Sequence, residues 1–270
     1  MLVTGHTGFL GSWLAVWLSE LGADLMGFAR RPPAPESLLA LAGLEHRVAS
    51  LAVDIRDRAR VVQTVASLAP EVIVHLAGRH TAAEGLKRPL DSFDTNATGT
   101  LHLLHAACRT PELRGSVVVT AADAVPPDTD GSPAAVGSGD PVSASLACAE
   151  IIAETFRRCY LQPADGIGLA TLRLPEIVGG GDFGRGRLVP DVVRAVAAGR
   201  LAAPATPGLA RPLLHVLDAL RHCLELAEAL VHRPRAGASA WSPDAARPGA
   251  WPADAIADHV MAHIEGRQPP

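Results

Sequence analysis

The chain has 270 residues, of which 48% are hydrophobic and 19% are charged, and its formal net charge is -4. This length is enough to bury the core of one α/β domain with a smaller substrate-binding part. The negative charge and the lack of any Lys/Arg-rich run argue against nucleic acid or an anionic membrane as partner, because both are bound mainly through clustered positive charge. A small-molecule substrate is therefore the expected partner.

Cysteine usage and the amino-terminal sequence predict a reduced, cytoplasmic protein without a metal site. The four cysteines have neither the density of a disulfide framework nor a Cys-x-x-Cys metal spacing. The apolar start lacks the charged leader and cleavage site of a signal peptide, and no stretch is long and apolar enough to predict a membrane span. The cysteines are Cys108, Cys148, Cys159 and Cys223.

Apolar runs alternate with helical patterns in the order expected of repeated βα units. Runs such as Val72-Ile73-Val74 are typical of strands that are covered on both faces, as in a parallel sheet. We predict an α/β fold: a Rossmann-type, doubly wound parallel sheet in residues 1–177 and a smaller substrate-binding region in residues 178–270, with elements that return to the core. The predicted strands are 2–4, 24–28, 48–53, 72–76, 115–121 and 167–174; the predicted helices are 9–21, 93–108, 141–158, 188–198, 216–230 and 253–264; residues 124–141 form a loop.

A glycine-rich turn links the first predicted strand to the first predicted helix, with the sequence Thr4-Gly5-x-x-Gly8-x-x-Gly11. In this context the first glycine permits the sharp turn, the second lets a pyrophosphate approach the backbone, and the third lets the helix pack close to the strand. Free N–H groups at the helix start then bind the anion. We predict that the cofactor contacts Gly5, Thr7, Gly8, Phe9 and Leu10.

Residues after the later strands extend the predicted cofactor site and suggest its chemical form. Arg30 and Arg31 follow the second strand, where an acidic residue would accept the ribose hydroxyl of NAD, and guanidinium groups there suit a 2′-phosphate. NADP(H) is therefore favoured, while NAD(H) stays open because exposed arginines are also common as solvated charges. Further predicted contacts are Asp54 and Ile55 with adenine, Leu76, Ala77 and Gly78 beneath the cofactor, and Pro175, Glu176 and Ile177 near the nicotinamide.

These motifs resemble those of the extended short-chain dehydrogenase/reductases, the NAD-dependent epimerase/dehydratase family, and within it the CDP-glucose 4,6-dehydratase branch. The resemblance covers most of the chain and implies nucleotide-sugar chemistry with a nicotinamide cofactor. Besides the glycine turn, it runs through Asp54-Ile55-Arg56-Asp57, His75-Leu76-Ala77, Thr95-Asn96-x-x-Gly99-Thr100, Gly179-Gly180-Gly181-Asp182, Arg187-Leu188-Val189-Pro190-Asp191 and Arg211-Pro212-x-x-His215-Val216.

The departures from the family pattern cluster where the family does its chemistry. The family's Tyr-Ser-Ala-Ser-Lys appears here with Val142 in place of the tyrosine and Leu146 in place of the lysine. The only tyrosine, Tyr160, and the only lysine, Lys87, cannot form such a pair, because the pair requires Lys four residues after Tyr. The nearest polar candidates for catalysis are Thr120 and Ser145.

Three hypotheses follow from this pattern. The first is an NADPH-dependent ketoreductase that reduces an aromatic polyketide of the angucyclinone type, with the substrate's own phenol as proton donor, similar to atypical ketoreductases of antibiotic biosynthesis. The second is a nucleotide-sugar dehydratase or epimerase with relocated groups, for which Thr120, His80, Asp123 and Glu176 are candidates. The third is an NADP(H)-binding protein without turnover.

The residues expected to meet the substrate are His80, Thr81, Phe183, Arg187 and Leu188. Arg187 and Arg211 stand where the family binds a nucleotide diphosphate and so favour the second hypothesis, whereas the apolar replacements favour a flatter, apolar ligand. Either a monomer or a homodimer is compatible with the sequence.

Overall fold

The protein is described here from a computed structural model, which covers residues 1–31, 37–125, 139–161, 166–200, 210–243, 251–264 and 266. In chain order its strands are β1 Leu2–Thr4, β2 Met26–Ala29, β3 Ala49–Ala52, β4 Val72–His75, β5 Gly115–Ala121, β6 Gly168–Leu174, β7 Glu176–Val178, β8 Ala210–Arg211, β9 Leu213–His215, β10 Ala240–Trp241 and β11 Trp251–Pro252. The α-helices are α1 Phe9–Glu20, α2 Leu38–Leu41, α3 Arg58–Leu68, α4 Ala82–Lys87, α5 Pro89–Ser92, α6 Gly99–Ala107, α7 Pro141–Cys159, α8 Leu188–Ala197, α9 Val216–His232, α10 Pro234–Gly237 and α11 Ala253–Ile264. A 3₁₀-helix spans Leu44–His46 and a π-helix spans Phe93–Thr98.

Seven strands form the central sheet in the order β3-β2-β1-β4-β5-β6-β10, and all neighbouring strands are parallel. The chain winds outward in one direction from β1 to β3 and in the other from β4 to β10. The direction reverses between β1 and β4, and ligands of such sheets bind at the carboxyl ends of the strands beside this switch point. The predicted fold class, a doubly wound parallel sheet, is confirmed.

Both faces of the sheet are covered, because alternate strand residues pack against different helices. In β4, Ile73 joins a cluster with residues of α3 and α6, whereas Val74 joins a cluster with residues of α1 and α9. In β5, Val118 faces α6 and α7, and Val117 faces the same side as Val74. Continuous β-branched runs in the sequence therefore correspond to strands buried on both faces.

The structure differs from the predicted elements in the helix that was expected over residues 93–108. Its first part is the π-helix, and only the following nine residues, α6, are α-helical. Within the π-helix, Asn96 reaches the backbone of Arg79, a contact between distant segments that periodicity does not reveal. The predicted loop 124–141 lies mostly outside the described residues, and its last residue, Pro141, begins α7.

The predicted division at residue 177 stays a prediction. Beyond that boundary, α9 packs against the sheet and β10 pairs with β6, so segments of the carboxyl-terminal part do contact the core.

We expect Gly168→Ala to lower the free energy of unfolding by about 1–3 kcal/mol, the usual cost of overpacking a core. A Cβ at this position would lie 2.6 Å from Leu230 Cδ2 and 3.1 Å from the Leu230 carbonyl oxygen, and Leu230 is fully buried. Gly180→Ala is the matched control, since a Cβ there meets nothing within 4 Å. Urea denaturation of both variants measures the effect, and equal midpoints would contradict it.

Candidate active site

The glycine turn after β1 packs directly against the end of β4. Gly5 has a φ of +73°, and a Cβ on it would lie 2.8 Å from both the Cα and the N of Ala77. A Cβ on Gly11 would lie 2.3 Å from the carbonyl oxygen of Gly5. These two positions accept only glycine, since backbone atoms occupy the space of any side chain.

Gly8 leaves the start of α1 open. It is the N-cap residue, no side chain caps the helix, and a Cβ on Gly8 would meet only the Gly5 carbonyl oxygen, at 3.3 Å. The first N–H groups of α1 therefore point toward the switch point without a capping side chain, which is the arrangement that binds an anionic pyrophosphate. The residues of the turn fit the predicted cofactor.

A chain of buried hydrogen bonds joins β1 to β4 beside this turn. The Thr4 hydroxyl donates to His75 Nδ1 at 2.6 Å and accepts from the Ala77 N–H at 3.1 Å. With that tautomer, His75 Nε2 donates to Thr100 Oγ1 at 3.0 Å, and the Thr100 hydroxyl donates to the Asn96 carbonyl oxygen at 2.5 Å. Burial, and secondarily the nearby His80, lowers the pKa of His75 to about 4, so its imidazole is neutral at pH 7.

The predicted adenosine side is built around Asp54, which follows β3. Its carboxylate accepts hydrogen bonds from Arg56 Nε at 3.0 Å and from Arg56 Nη2 at 2.7 Å. These bonds lower the pKa of Asp54, and the charge of Arg30 lowers it further. Arg30 and Arg31 are both exposed at the end of β2. The Ile55 side chain is buried against Gly99, and the Ile55 carbonyl oxygen lies 3.2 Å from His102 Nδ1, so the Ile55 side chain faces the core.

The positions of the family's tyrosine and lysine are built into an apolar cluster. Val142 and Leu146 are 5% and 4% exposed and pack with Ala124 and Ala147. Helix α4 lies directly against this cluster, since a Cβ on Gly85 would be 2.6 Å from Val142 Cγ2. The two substitutions thus replaced polar reacting groups by a packed hydrophobic wall.

The two hydroxyls proposed for catalysis are buried and already hydrogen-bonded. The Thr120 hydroxyl donates to Glu150 Oε1 at 2.5 Å. The Ser145 hydroxyl donates to the Val142 carbonyl oxygen at 2.7 Å and accepts from Asn96 Nδ2 at 2.8 Å. Thr120 is 3% exposed and Ser145 is not exposed, so both hydroxyls form hydrogen bonds inside the protein and are shielded from solvent.

Several predicted substrate residues do meet on one side of the cleft. Arg187 Nη1 forms an ion pair with Asp182 Oδ2 at 2.8 Å, and Arg187 Cζ lies 5.9 Å from the centroid of the Phe9 ring, within cation–π range. The Thr81 Cγ2 atom lies 2.6 Å from the position of a Cβ on Gly186, so the segment before α8 touches the loop after β4.

His80 lies on the wall of the same cleft. Its ring is accessible to solvent yet folds over Gly78, where a Cβ would be 2.7 Å from His80 Nε2. The surrounding protein, and secondarily the charge of Arg187, lowers the pKa of His80 to about 4. At pH 7 His80 is therefore a neutral imidazole and adds no positive charge to the cleft.

The remaining predicted residues frame this region. Glu176 and Ile177 of β7 line a small pocket together with Asp182, Arg187, Val189 and Pro190. Pro175 lies between β6 and β7, Phe183 is 53% exposed, and Leu188 begins α8. The side chain of Arg211 lies outside the described part of the structure.

Sequence reasoning missed the roles of Glu150 and Gly85. Glu150 accepts hydrogen bonds from Thr120, Thr171 and Arg173. The sequence feature that could have indicated this role is its position one helical turn after Leu146, on the same face of α7. For Gly85 no local signal exists, because its importance comes from its contact with Val142.

Within the described residues, no group of three or more His, Cys, Asp or Glu side chains is arranged to hold a metal ion. None of the helices in that part of the chain has the length and apolar character needed to cross a bilayer.

Comparison with known proteins places these observations in a family. Residues 1–236 match the sequence profile of the NAD dependent epimerase/dehydratase family. A CDP-glucose 4,6-dehydratase from Salmonella typhimurium is 33% identical over 240 residues, which cover 85% of this chain and 66% of that enzyme. This chain thus spans slightly less than two thirds of that relative's length. The predicted resemblance to the epimerase/dehydratase family and its CDP-glucose 4,6-dehydratase branch is confirmed.

Solved structures show the same fold. One is a double mutant of a dTDP-glucose 4,6-dehydratase from Streptomyces venezuelae, solved with NAD. The match has a TM-score of 0.77 at 21% identity and covers 99% of this chain and 81% of the dehydratase chain. A UDP-glucose 4-epimerase from Thermus thermophilus in complex with NAD has a TM-score of 0.77 at 21% identity, with 99% and 84% covered. At these identities the likeness shows the fold alone.

We expect the free energy of unfolding to fall as the pH drops from 6.5 to 4. His75 is 3% exposed and its pKa is lowered to about 4, so below pH 6.5 the unfolded chain takes up a proton that the folded protein does not. His75 alone contributes a loss of up to about 3 kcal/mol, since each pKa unit is worth about 1.4 kcal/mol. It is complete near pH 4 and absent above pH 6.5.

Urea denaturation across this pH range, with NMR titration of His75, measures the effect. The control variant His232→Gln, at the exposed end of α9, should keep the same pH dependence. A measured pKa of His75 near 6.5 would show that its burial does not suppress protonation.

Proposed function

The chain belongs to the NAD dependent epimerase/dehydratase family, and from that premise we propose that it is an NADPH-dependent ketoreductase whose substrate supplies the proton. This membership supports the predicted class, an enzyme of the nicotinamide-dependent oxidoreductase type. One observation carries the finer proposal: the positions of the family's tyrosine and lysine are Val142 and Leu146, and both are buried in a packed apolar wall.

The cofactor, when bound, supplies a hydride. The open start of α1 at Gly8, Phe9 and Leu10 would hold its pyrophosphate, and Asp54 would face its adenine. Arg30 and Arg31 are exposed beside this position, which favours a 2′-phosphate and hence NADPH over NADH.

Reduction of a ketone forms an alkoxide, and a positioned acid normally contributes about 10²–10⁴ to the rate of its protonation. The two hydroxyls Thr120 and Ser145 donate to protein acceptors, and a lowered pKa disfavours the protonated form of His80. A phenol hydroxyl next to the ketone would replace the missing acid, because well-oriented intramolecular groups reach effective molarities of about 10⁵–10⁸ M. Aromatic polyketide ketones of the angucyclinone type have this arrangement.

The apolar wall supports the same substrate class. Val142, Leu146 and Ala124 are buried against one another, so these positions offer no hydrogen-bond partner to a sugar hydroxyl. A substrate that carries its own phenol needs no hydrogen-bond partner at these positions. The predicted partner is therefore a small aromatic molecule.

A second candidate is nucleotide-sugar chemistry with relocated groups, and the comparisons favour it. The relatives named above are nucleotide-sugar dehydratases and epimerases, and the Asp182–Arg187 ion pair lies within motifs that resemble theirs. Against it stands the absence of the Tyr-x-x-x-Lys pair, so that removal of the proton of a sugar hydroxyl, a step that oxidation of an alcohol requires, would fall to Glu176 or His80.

We expect purified protein to oxidise NADPH with a polycyclic aromatic ketone that has a phenol hydroxyl adjacent to the carbonyl. The O-methyl ether of the same ketone is the matched control substrate, since it keeps the shape and lacks the proton. The rate of reduction of the ether should be lower by about 10²-fold or more, the scale of losing a general acid. The decrease in NADPH absorbance at 340 nm, followed over time, gives both rates.

Equal rates for the phenol and its ether would show that the enzyme provides the proton. Calorimetry with CDP-glucose tests the second candidate, which requires tight binding of the nucleotide sugar. Binding of NADPH without hydride transfer to any ketone or sugar, followed with deuterated cofactor, would instead identify a non-catalytic protein.

We expect the double variant Arg30→Gln, Arg31→Gln to bind NADPH about tenfold more weakly and to bind NADH unchanged. A charged hydrogen bond to the 2′-phosphate is worth about 1.5–3 kcal/mol, and NADH has no such group. Arg221→Gln, in an exposed ion pair on α9, is the control. Calorimetric dissociation constants for both cofactors decide the matter, and an equal loss for NADH would argue against 2′-phosphate recognition.

A further inference from the structure

A group of ion pairs connects the predicted adenosine side of the site with the loop that carries His80. Its centre is Asp91 on the short helix α5, whose carboxylate is 29% exposed. Three guanidinium groups surround it: Arg56 Nη1 lies 3.4 Å, Arg79 Nη1 3.8 Å and Arg88 Nη1 3.9 Å from its oxygens. We call Asp54, Arg56, Arg79, Glu84, Arg88 and Asp91 the arginine network.

One arm of the network leads to the adenosine side. Arg56 uses Nη1 for Asp91, and uses Nε and Nη2 for the two carboxylate oxygens of Asp54. The hydrogen bond to Asp54 raises the pKa of Arg56, and the charge of Asp91 adds to this rise. The orientation of the Asp54 carboxylate therefore depends on a guanidinium that Asp91 also holds.

The other arm leads to the cleft wall. The Arg79 side chain is 15% exposed and lies between Asp91 and Glu84, whose Oε2 is 3.3 Å from Arg79 Nη2. Its backbone is held independently, because Asn96 Oδ1 accepts from the Arg79 N–H at 2.8 Å and Asn96 Nδ2 donates to the Arg79 carbonyl at 2.9 Å. His80 is the next residue, so the ion pairs of the Arg79 side chain act together with the Asn96 hydrogen bonds in positioning that imidazole.

The charges of the arginine network balance, since three carboxylates face three guanidinium groups. Asp91 is the member that touches both arms. Neutralising it leaves Arg56, Arg79 and Arg88 close together without their shared carboxylate, and like charges then repel at short distance. A single exposed pair would contribute little, but a partly buried network ties several side chains to one anion.

We propose that Asp91 is a positioning residue that fixes the adenosine-side loop through Arg56 and Asp54 and the His80 loop through Arg79. The proposal rests on the proposed function only in taking Asp54 as a cofactor contact. Its test measures binding and chemical shifts, so it gives an answer even when no ketone is turned over.

Two measurements separate the arms. Calorimetry gives the dissociation constant of NADPH, and NMR gives the His80 ring chemical shifts. We expect Arg56→Gln to weaken NADPH binding and leave His80 unchanged, and Arg79→Gln to shift His80 and leave binding within about twofold. Asp91→Asn should do both, weakening binding by about fivefold, the upper range for partly exposed ion pairs.

A double-variant comparison distinguishes positioning from general destabilisation. If Asp91 acts through Arg56 on Asp54, the variant Asp54→Asn, Asp91→Asn binds NADPH about as weakly as Asp54→Asn alone, because coupled residues are not additive. The control Glu225→Gln breaks an exposed ion pair on α9, and its effect should multiply with that of Asp54→Asn.

The charge itself is tested by Asp91→Glu, which should restore both readouts to within about twofold and remains informative if Asp91→Asn does not fold. The proposal is overturned if Asp91→Asn changes only one of the two readouts, if the fold-changes of Asp54→Asn and Asp91→Asn multiply, or if Asp91→Glu behaves like an uncharged replacement.

Discussion

The close approach of two backbone segments at the switch point sets the geometry of the site. Gly5 lies against Ala77 so tightly that a Cβ would be 2.8 Å from backbone atoms, and Gly11 lies against the Gly5 carbonyl. This contact brings the start of α1 next to the end of β4. The buried hydrogen bonds from Thr4 to His75 and from His75 to Thr100 hold β1 and β4 together at the same place. The glycine turn and the loop after β4 are held together. The predicted pyrophosphate site and His80 therefore lie on segments whose relative position is fixed.

Much of the cofactor side could be predicted because its signals are local. Glycine spacing, β-branched runs and the residues after each strand are all read within a few positions, and the sheet confirms the fold that they predict. The remaining features depend on contacts between distant segments. Thr120 lies 30 residues from the Glu150 that binds its hydroxyl, and Asn96 lies 17 residues from Arg79, so no pattern in the sequence shows that these groups are already engaged.

The loss of the tyrosine and lysine is therefore more than the removal of two reacting groups. Val142 and Leu146 are packed with Ala124, and α4 closes over Val142 through Gly85. A tyrosine at position 142 would have little room on the side of α4, because Val142 Cγ2 already lies 2.6 Å from the position of a Cβ on Gly85. A lysine at position 146 would be a buried cation in hydrocarbon surroundings, which is costly without a partner. The cluster around Val142 and Leu146 and the helix that covers it therefore pack as one unit.

An apolar wall beside a hydride acceptor restricts which reactions the site can support. Because Val142 and Leu146 are buried and offer no donor, the charge of an oxyanion formed in the proposed reaction would have to be neutralised within the substrate as it develops. A neighbouring phenol does this by passing its proton across an internal hydrogen bond, and the resulting phenolate spreads its charge over the ring system. The reverse direction obeys the same rule, since an alcohol beside a phenolate has its base at hand whereas an isolated sugar hydroxyl does not. Under the proposed function, the site would select substrates by their internal proton donor, and the enzyme's own groups would orient the ketone and exclude water.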